Sequence, residues 1–229
     1  MTEHEVYLEV GSKRVFAGSL AWPGWARAGR DEDAALENLA AHAQRFAAAL
    51  KASRVKGFTV PEDFSVVERL EGDATTDFGA PSGSPRIDDG ALGGAELERY
   101  VAILRAAWAA LDRASDAAKG VTLTKGPRGG GRSRAAIVQH VTDAEGAYLS
   151  PLDGQKPKTG GAEAMRAAVE QAVRDRAEGV PRPEPRRPKK VWTPRYGVRR
   201  VAWRSATRGA SGSAGRRSSD GRGAGSGVI

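Results

Sequence analysis

Leu97, Val101, Leu104, Trp108 and Leu111 follow one another at offsets of 4, 7, 11 and 14 residues from the first, and this stripe restricts the chain more than any other feature. An α-helix repeats every 3.6 residues, so all five share one face of a helix over residues 95–119. A face that apolar over so many turns has to be covered by other elements. Three further segments offer matching stripes. Asp31 stands at a cap position before a helix to about Leu50, with Leu36, Leu39, Ala43, Phe46 and Leu50 in line. Ser133 caps a helix to about Leu149 that carries Ile137, Val141, Ala144 and Tyr148 on one side. Residues 161–178 form another, with Met165, Val169, Ala172 and Val173 as its apolar side. Thr193 at a cap position and Pro194 at the first helical position then open a last helix in WTPRYGVRRVAW. Four helices from residue 95 onward predict an antiparallel bundle.

The first 71 residues read differently. HEVYLEVGSKRVFAGSL (4–20) alternates, with Val6, Leu8 and Val10 on one face and a Gly11-Ser12 turn, which predicts a hairpin. WPGWARAG follows as a loop, and GFTV (57–60) and FSVVERL (64–70) read as further strands. Residues 1–71 are therefore expected to form a small α+β unit. Residues 72–94, rich in Gly, Pro, Asp and Ser, read as a linker, and 95–204 as the helical bundle. Of residues 205–229, 17 of 25 are Gly, Ser or Ala, too few large apolar groups to offset ordering entropy, so a disordered tail is expected.

Several function classes drop out on composition. The chain has no cysteine, which removes disulfides, thiol catalysis and Cys-ligated zinc. No basic run with an apolar core opens the chain, and no apolar stretch approaches the roughly 20 residues of a membrane span. The expectation is a soluble, cytoplasmic protein with no membrane partner. The formal charge is +8, but residues 180–229 carry 13 Lys and Arg against 2 Asp and Glu, a net +11. Residues 1–179 carry 23 against 26, a net −3, so the basic end is no argument for a nucleic-acid partner of the folded part.

Candidate chemistry is sparse. His4 lies in the first strand and His42 on the first helix, both expected at the surface or an edge. His140 falls about 60° from the Ile137–Ala144 stripe at 100° per residue, at the edge of the bundle's inner face. It reads either as a hydrogen-bonded core-edge histidine or as one metal ligand short of a set. Glu145 lies about 140° round the helix from it, poorly placed to share an ion. KGPRGGGRSR places Lys125, Arg128 and Arg132 in a Gly-rich segment before a helix N-terminus, which suits an anion. Its plainer reading is a connecting loop. Trp22 and Trp25, flanking Pro23-Gly24, are expected to close a small core. No Ser-His-Asp arrangement, paired carboxylates or dinucleotide fingerprint occurs, so no catalytic residue is assigned.

KGPRGGGRSRAAIVQHVTDAEGAYL together with WTPRYGVRRVAW resembles the DinB/YfiT-like helical proteins, of the actinobacterial type with an extra N-terminal segment, over residues 92–204. WPGWARAGRDEDAALENLAAHAQRFA is in turn similar to HicB-like folds. The first resemblance implies a four-helix bundle. It also implies a divalent metal, zinc or nickel, on three histidines, and a lineage of transferases or hydrolases linked to small thiols such as bacillithiol or mycothiol. His140 in IVQHVTDAE matches the first of those histidines. The other two are expected one turn apart on the last helix, where this chain reads RSATRGASG. The departure is what an out-of-frame reading of GC-rich DNA from about Arg204 produces. The expectation is thus an inactive relative that holds no metal, with a small-molecule or thiol substrate in its lineage and a bundle face left for homodimerisation. The alternative is a non-enzymatic binding or regulatory module, with nucleic-acid binding by the basic end third.

Overall fold

The computed structural model describes residues 3–121, 133–181 and 191–214, with side chains as far as Ala206. Strands β1 (Glu3–Val10) and β2 (Val15–Ser19) form the expected hairpin, with Val6 opposite Ser19 and Val10 opposite Val15. The sheet then grows at both edges. Strand β3 (Ala26–Gly29) pairs antiparallel with β2, and β4 (Asp63–Glu71) pairs parallel with β1, giving the order β3-β2-β1-β4. The ARAG end of the expected WPGWARAG loop is therefore a strand. GFTV is not one: Phe58 instead packs edge-on against Trp22, Trp25 and Phe46, with centroids 5.2, 5.0 and 5.1 Å away.

Helix α1 (Glu32–Ala52) starts where expected, Asp31 accepting from the Ala34 N–H at 2.8 Å. Its stripe of Leu39, Ala43, Phe46 and Leu50 covers Val6, Leu8, Val15 and Ala17. Trp25 stacks on Phe46 at 5.7 Å and closes this core, as its position beside a Pro-Gly turn suggested. Side chains alternate across a strand, so Tyr7 and Glu9 point to the opposite face from Val6 and Leu8. Both are nonetheless buried.

What covers Glu9 is the stretch 72–94, which is not the open linker its composition suggests. It carries α2 (Ala74–Phe78), capped by Asp73, and a 3-10 turn at Arg86–Asp89. Glu9 gathers it: the carboxylate accepts from the Thr76 hydroxyl, from Ser82 N–H at 2.9 Å, from the Ser82 hydroxyl at 3.2 Å and from Gly83 N–H at 2.8 Å. Thr76, Asp88 and Leu92 are buried. Four backbone or hydroxyl donors on one carboxylate order a segment that has little apolar surface of its own.

Helices α3 (Gly94–Ala117), α4 (Arg134–Leu149), α5 (Gly161–Ala177) and α6 (Pro194–Ala214) make up the remainder. The stripe of α3 meets Tyr148, Leu149, Met165, Val169, Val173, Val198 and Val201 in one core. Ile103 and Ala106, on the other side of α3, join the core of the sheet, so the two expected domains share buried surface. The chain is thus a mixed four-stranded sheet with a mainly helical remainder. Helix α6 does not stop at Arg204. It continues to Ala214, with Ser205 fully buried, because extending an existing helix adds one hydrogen bond per residue without a new nucleus. The tail expected over 205–229 therefore begins no earlier than 215, and residues 215–229 lie outside the described residues. No helix among the described residues is long and apolar enough to cross a membrane.

Candidate functional site

Helix α6 lies between the second face of the sheet and the other helices, and every residue from Arg195 to Trp203 is buried. Arg195, Arg199 and Arg200 are among them. A helix enclosed on all sides is normally apolar all round, so each guanidinium here needs a partner. Arg195 finds Glu96 through two short contacts at 2.6 and 2.5 Å, and donates to the Ala91 carbonyl at 2.7 Å. Those bonds hold the Glu96 carboxyl below the usual range. Arg199 forms a fork with Asp88 at 2.8 and 2.9 Å and donates to the Ser19 carbonyl at 2.6 Å. Its side chain is 5% exposed and that of Asp88 0%. The Arg199 guanidinium lies 5.4 Å from the Tyr7 ring, and burial raises the Tyr7 phenol above its ordinary value.

Arg200 differs. It is 9% exposed, and its Nε and Nη1 are buried with no hydrogen-bond partner among the described residues. The guanidinium sits 5.6 Å from the Tyr148 ring and 6.0 Å from the Tyr196 ring, and Trp192 packs on both at 5.2 and 5.0 Å. Burial pushes the Tyr196 phenol up to about 12, so that ring stays neutral and offers no countercharge. One turn on, Arg204 donates through Nη2 to the Tyr148 hydroxyl at 3.2 Å while its Nε is buried with no partner among the described residues. Arg199 and Arg200 also wall a narrow crevice, with room for about one water, that reaches Tyr7, Trp25 and Trp203. Gly24 lines it too, at φ +90°, where a Cβ would lie 2.8 Å from the Cβ of Ala202; only glycine lets the turn approach α6 this closely.

The residues singled out from sequence fall elsewhere. His140 is half-buried on α4. The buried polar residue on that helix is Glu145, 1% exposed, which accepts from Trp108 Nε1 at 2.7 Å and from the Ser205 hydroxyl at 3.4 Å. Burial raises its carboxyl above the usual range. Among the described residues no three His, Asp or Glu side chains come together to hold a metal ion, so the residues around His140 do not fit the three-histidine group. Lys125, Arg128 and Arg132 lie outside the described residues. Sequence reasoning missed the α6 arginines because arginine is rarely buried. The available signal was a helix with arginines four and five apart among aromatics and no acidic residue of its own.

Comparison of the chain with protein families, with curated proteins and with solved structures finds no match.

Proposed function

We propose that this chain is a non-enzymatic binding module that takes up a small oxyanion, a phosphate or carboxylate group, at Arg200. One observation carries the reading. Of three buried guanidiniums described on one helix, Arg195 and Arg199 have carboxylate partners, and Arg200 has aromatic rings and two nitrogens with no partner among the described residues. Guanidinium carries a positive charge, so burying it calls for a countercharge. An oxyanion supplies a countercharge and accepts from these donors. Titrating the protein with inorganic phosphate or acetate while following tryptophan fluorescence tests the reading, since Trp192 packs against both rings that flank Arg200. Saturable binding lost in Arg200→Met supports it. No saturable response, or an unchanged one in Arg200→Met, refutes it.

The helical half further suits a DinB/YfiT-like four-helix bundle. What favours this is the single core shared by α3, α4, α5 and α6. On that reading the fold is the scaffold of a metal-dependent lineage, and His140 is its surviving ligand position. Stoichiometric zinc or nickel, retained through purification and lost in His140→Ala, would show an active metal site and displace the binding-module reading.

A further inference from the structure

The two edges of the sheet are finished differently. At β3 the carbonyls of Ala26 and Ala28 accept from Arg27 Nη1 at 2.8 Å and from Asn38 Nδ2 at 2.9 Å. Strand β4 stands at the other end of the order β3-β2-β1-β4 and pairs only on its β1 side. It is nine residues long. Beyond that ladder, the one hydrogen bond to its backbone among the described residues runs from Phe64 N–H to the Asp63 carboxylate at 2.8 Å. A strand edge of this kind offers a row of backbone donors and acceptors that a further strand can complete.

The charge beside this edge has one sign. Glu3 and Glu5 on β1, Glu62 just before β4, and Asp63 and Glu71 on β4 are exposed and have no ion pair among the described residues. Glu3 stands opposite Asp63 in the ladder, two like charges side by side. Arg69, the only arginine or lysine of these two strands, is held by Glu32 at 2.9 Å, and Arg86 lies 3.4 Å from Glu68. Glu3 and Glu5 also line an open depression that extends from Trp22 past Ser19 to Ser65 of β4. Ser65 lies opposite Glu5, and its small side chain leaves the way from the edge into that depression clear.

We propose that the β4 edge takes up an extended basic segment of a partner protein as a fifth strand, with a lysine or arginine laid over Ser65 towards Glu5 and Glu3. Charge decides between this occupant and a second copy of the chain. Two β4 edges brought together would set carboxylates against carboxylates, whereas a basic strand sets opposite charges against them. The bulge adds to this. Val66 pairs with Val6 and Glu68 with Tyr7, which leaves Val67 as an extra residue, 44% exposed. A bulge bends the edge away from a long flat neighbour, so pairing is confined to a short segment ahead of it.

The test is isothermal titration of the full chain with a blocked heptapeptide of alternating lysine and valine. Its controls are the glutamate–valine counterpart and the same basic peptide methylated at every backbone nitrogen, which keeps the charges and cannot donate to a strand. One basic peptide per chain is expected, with no binding of the acidic one. Backbone methylation is expected to weaken binding by about tenfold or more, since several hydrogen bonds are lost together. Glu3 and Glu5 are exposed, so the double variant Glu3→Lys, Glu5→Lys keeps the fold, and it is expected to weaken binding by roughly tenfold. No binding of the basic peptide overturns the proposal. So does a methylated or acidic peptide that binds as tightly, or a double variant that titrates like the parent. Arg200→Met is expected to bind the peptide unchanged, so the oxyanion site and the strand edge can fail independently.

Discussion

Replacing Asp88 by asparagine removes one negative charge from the interior and changes almost nothing in shape. The carboxylate is 0% exposed and faces the Arg199 guanidinium, itself 5% exposed, through contacts of 2.8 and 2.9 Å. Two unit charges at about 4 Å attract by roughly 4 kcal/mol at an effective dielectric near 20. That attraction offsets the desolvation of both groups, so the intact pair adds little net stability. Its loss from one side is another matter, because the remaining guanidinium stays buried without a countercharge, at a cost of about 3–5 kcal/mol. The Ser19 and Leu20 carbonyls still accept from Arg199 and hold it in place, so it has no short route to solvent. For a chain of this length, each 1 kcal/mol lowers the melting temperature by about 2–4 °C, so Asp88→Asn is expected to melt about 6–20 °C lower. Urea unfolding of Asp88→Asn, Arg199→Met and the double variant closes a cycle whose coupling is expected at about 2–3 kcal/mol. A loss below about 1 kcal/mol in Asp88→Asn, or a coupling within about 0.5 kcal/mol of zero, would show that the pair is hydrated or misplaced and refute the reasoning.

Glu145 predicts a pH dependence. Its carboxyl is raised by burial, so the folded chain holds this proton more tightly than the unfolded chain does. The resulting stabilisation is complete below the ordinary glutamate value and is lost as pH rises through the raised one. Glu145→Gln, which can still accept from Trp108, is expected to flatten the stability profile over that window; parallel profiles for the two proteins would contradict this. Gly24→Ala forces a side chain into a left-handed turn and against Ala202, and a loss of about 1–3 kcal/mol is expected in chemical denaturation. An unchanged midpoint would mean that the turn does not seat on α6.

What the sequence determined by itself is the set of elements whose own residues announce a face. The stripe from Leu97 to Leu111, the Met165–Val173 side of α5, the Asp31 cap and the β1–β2 alternation were legible because helix and strand periods are local properties. Helix α4 was legible only in part: Val141 and Tyr148 are buried as its period implies, whereas Glu145 is buried for want of any local sign. Tertiary structure decided which polar groups go inside. Glu9 is buried because Thr76, Ser82 and Gly83 reach it from more than 60 positions away, and Arg199 because Asp88 does from 111. The Pro- and Gly-rich stretch 72–94 reads as a linker for the same reason: its partners lie elsewhere in the chain. The Arg200 site belongs to this second category. A guanidinium left without a partner is visible only once its neighbours are placed, since burial sets the need and distant residues either meet it or leave it open to a ligand.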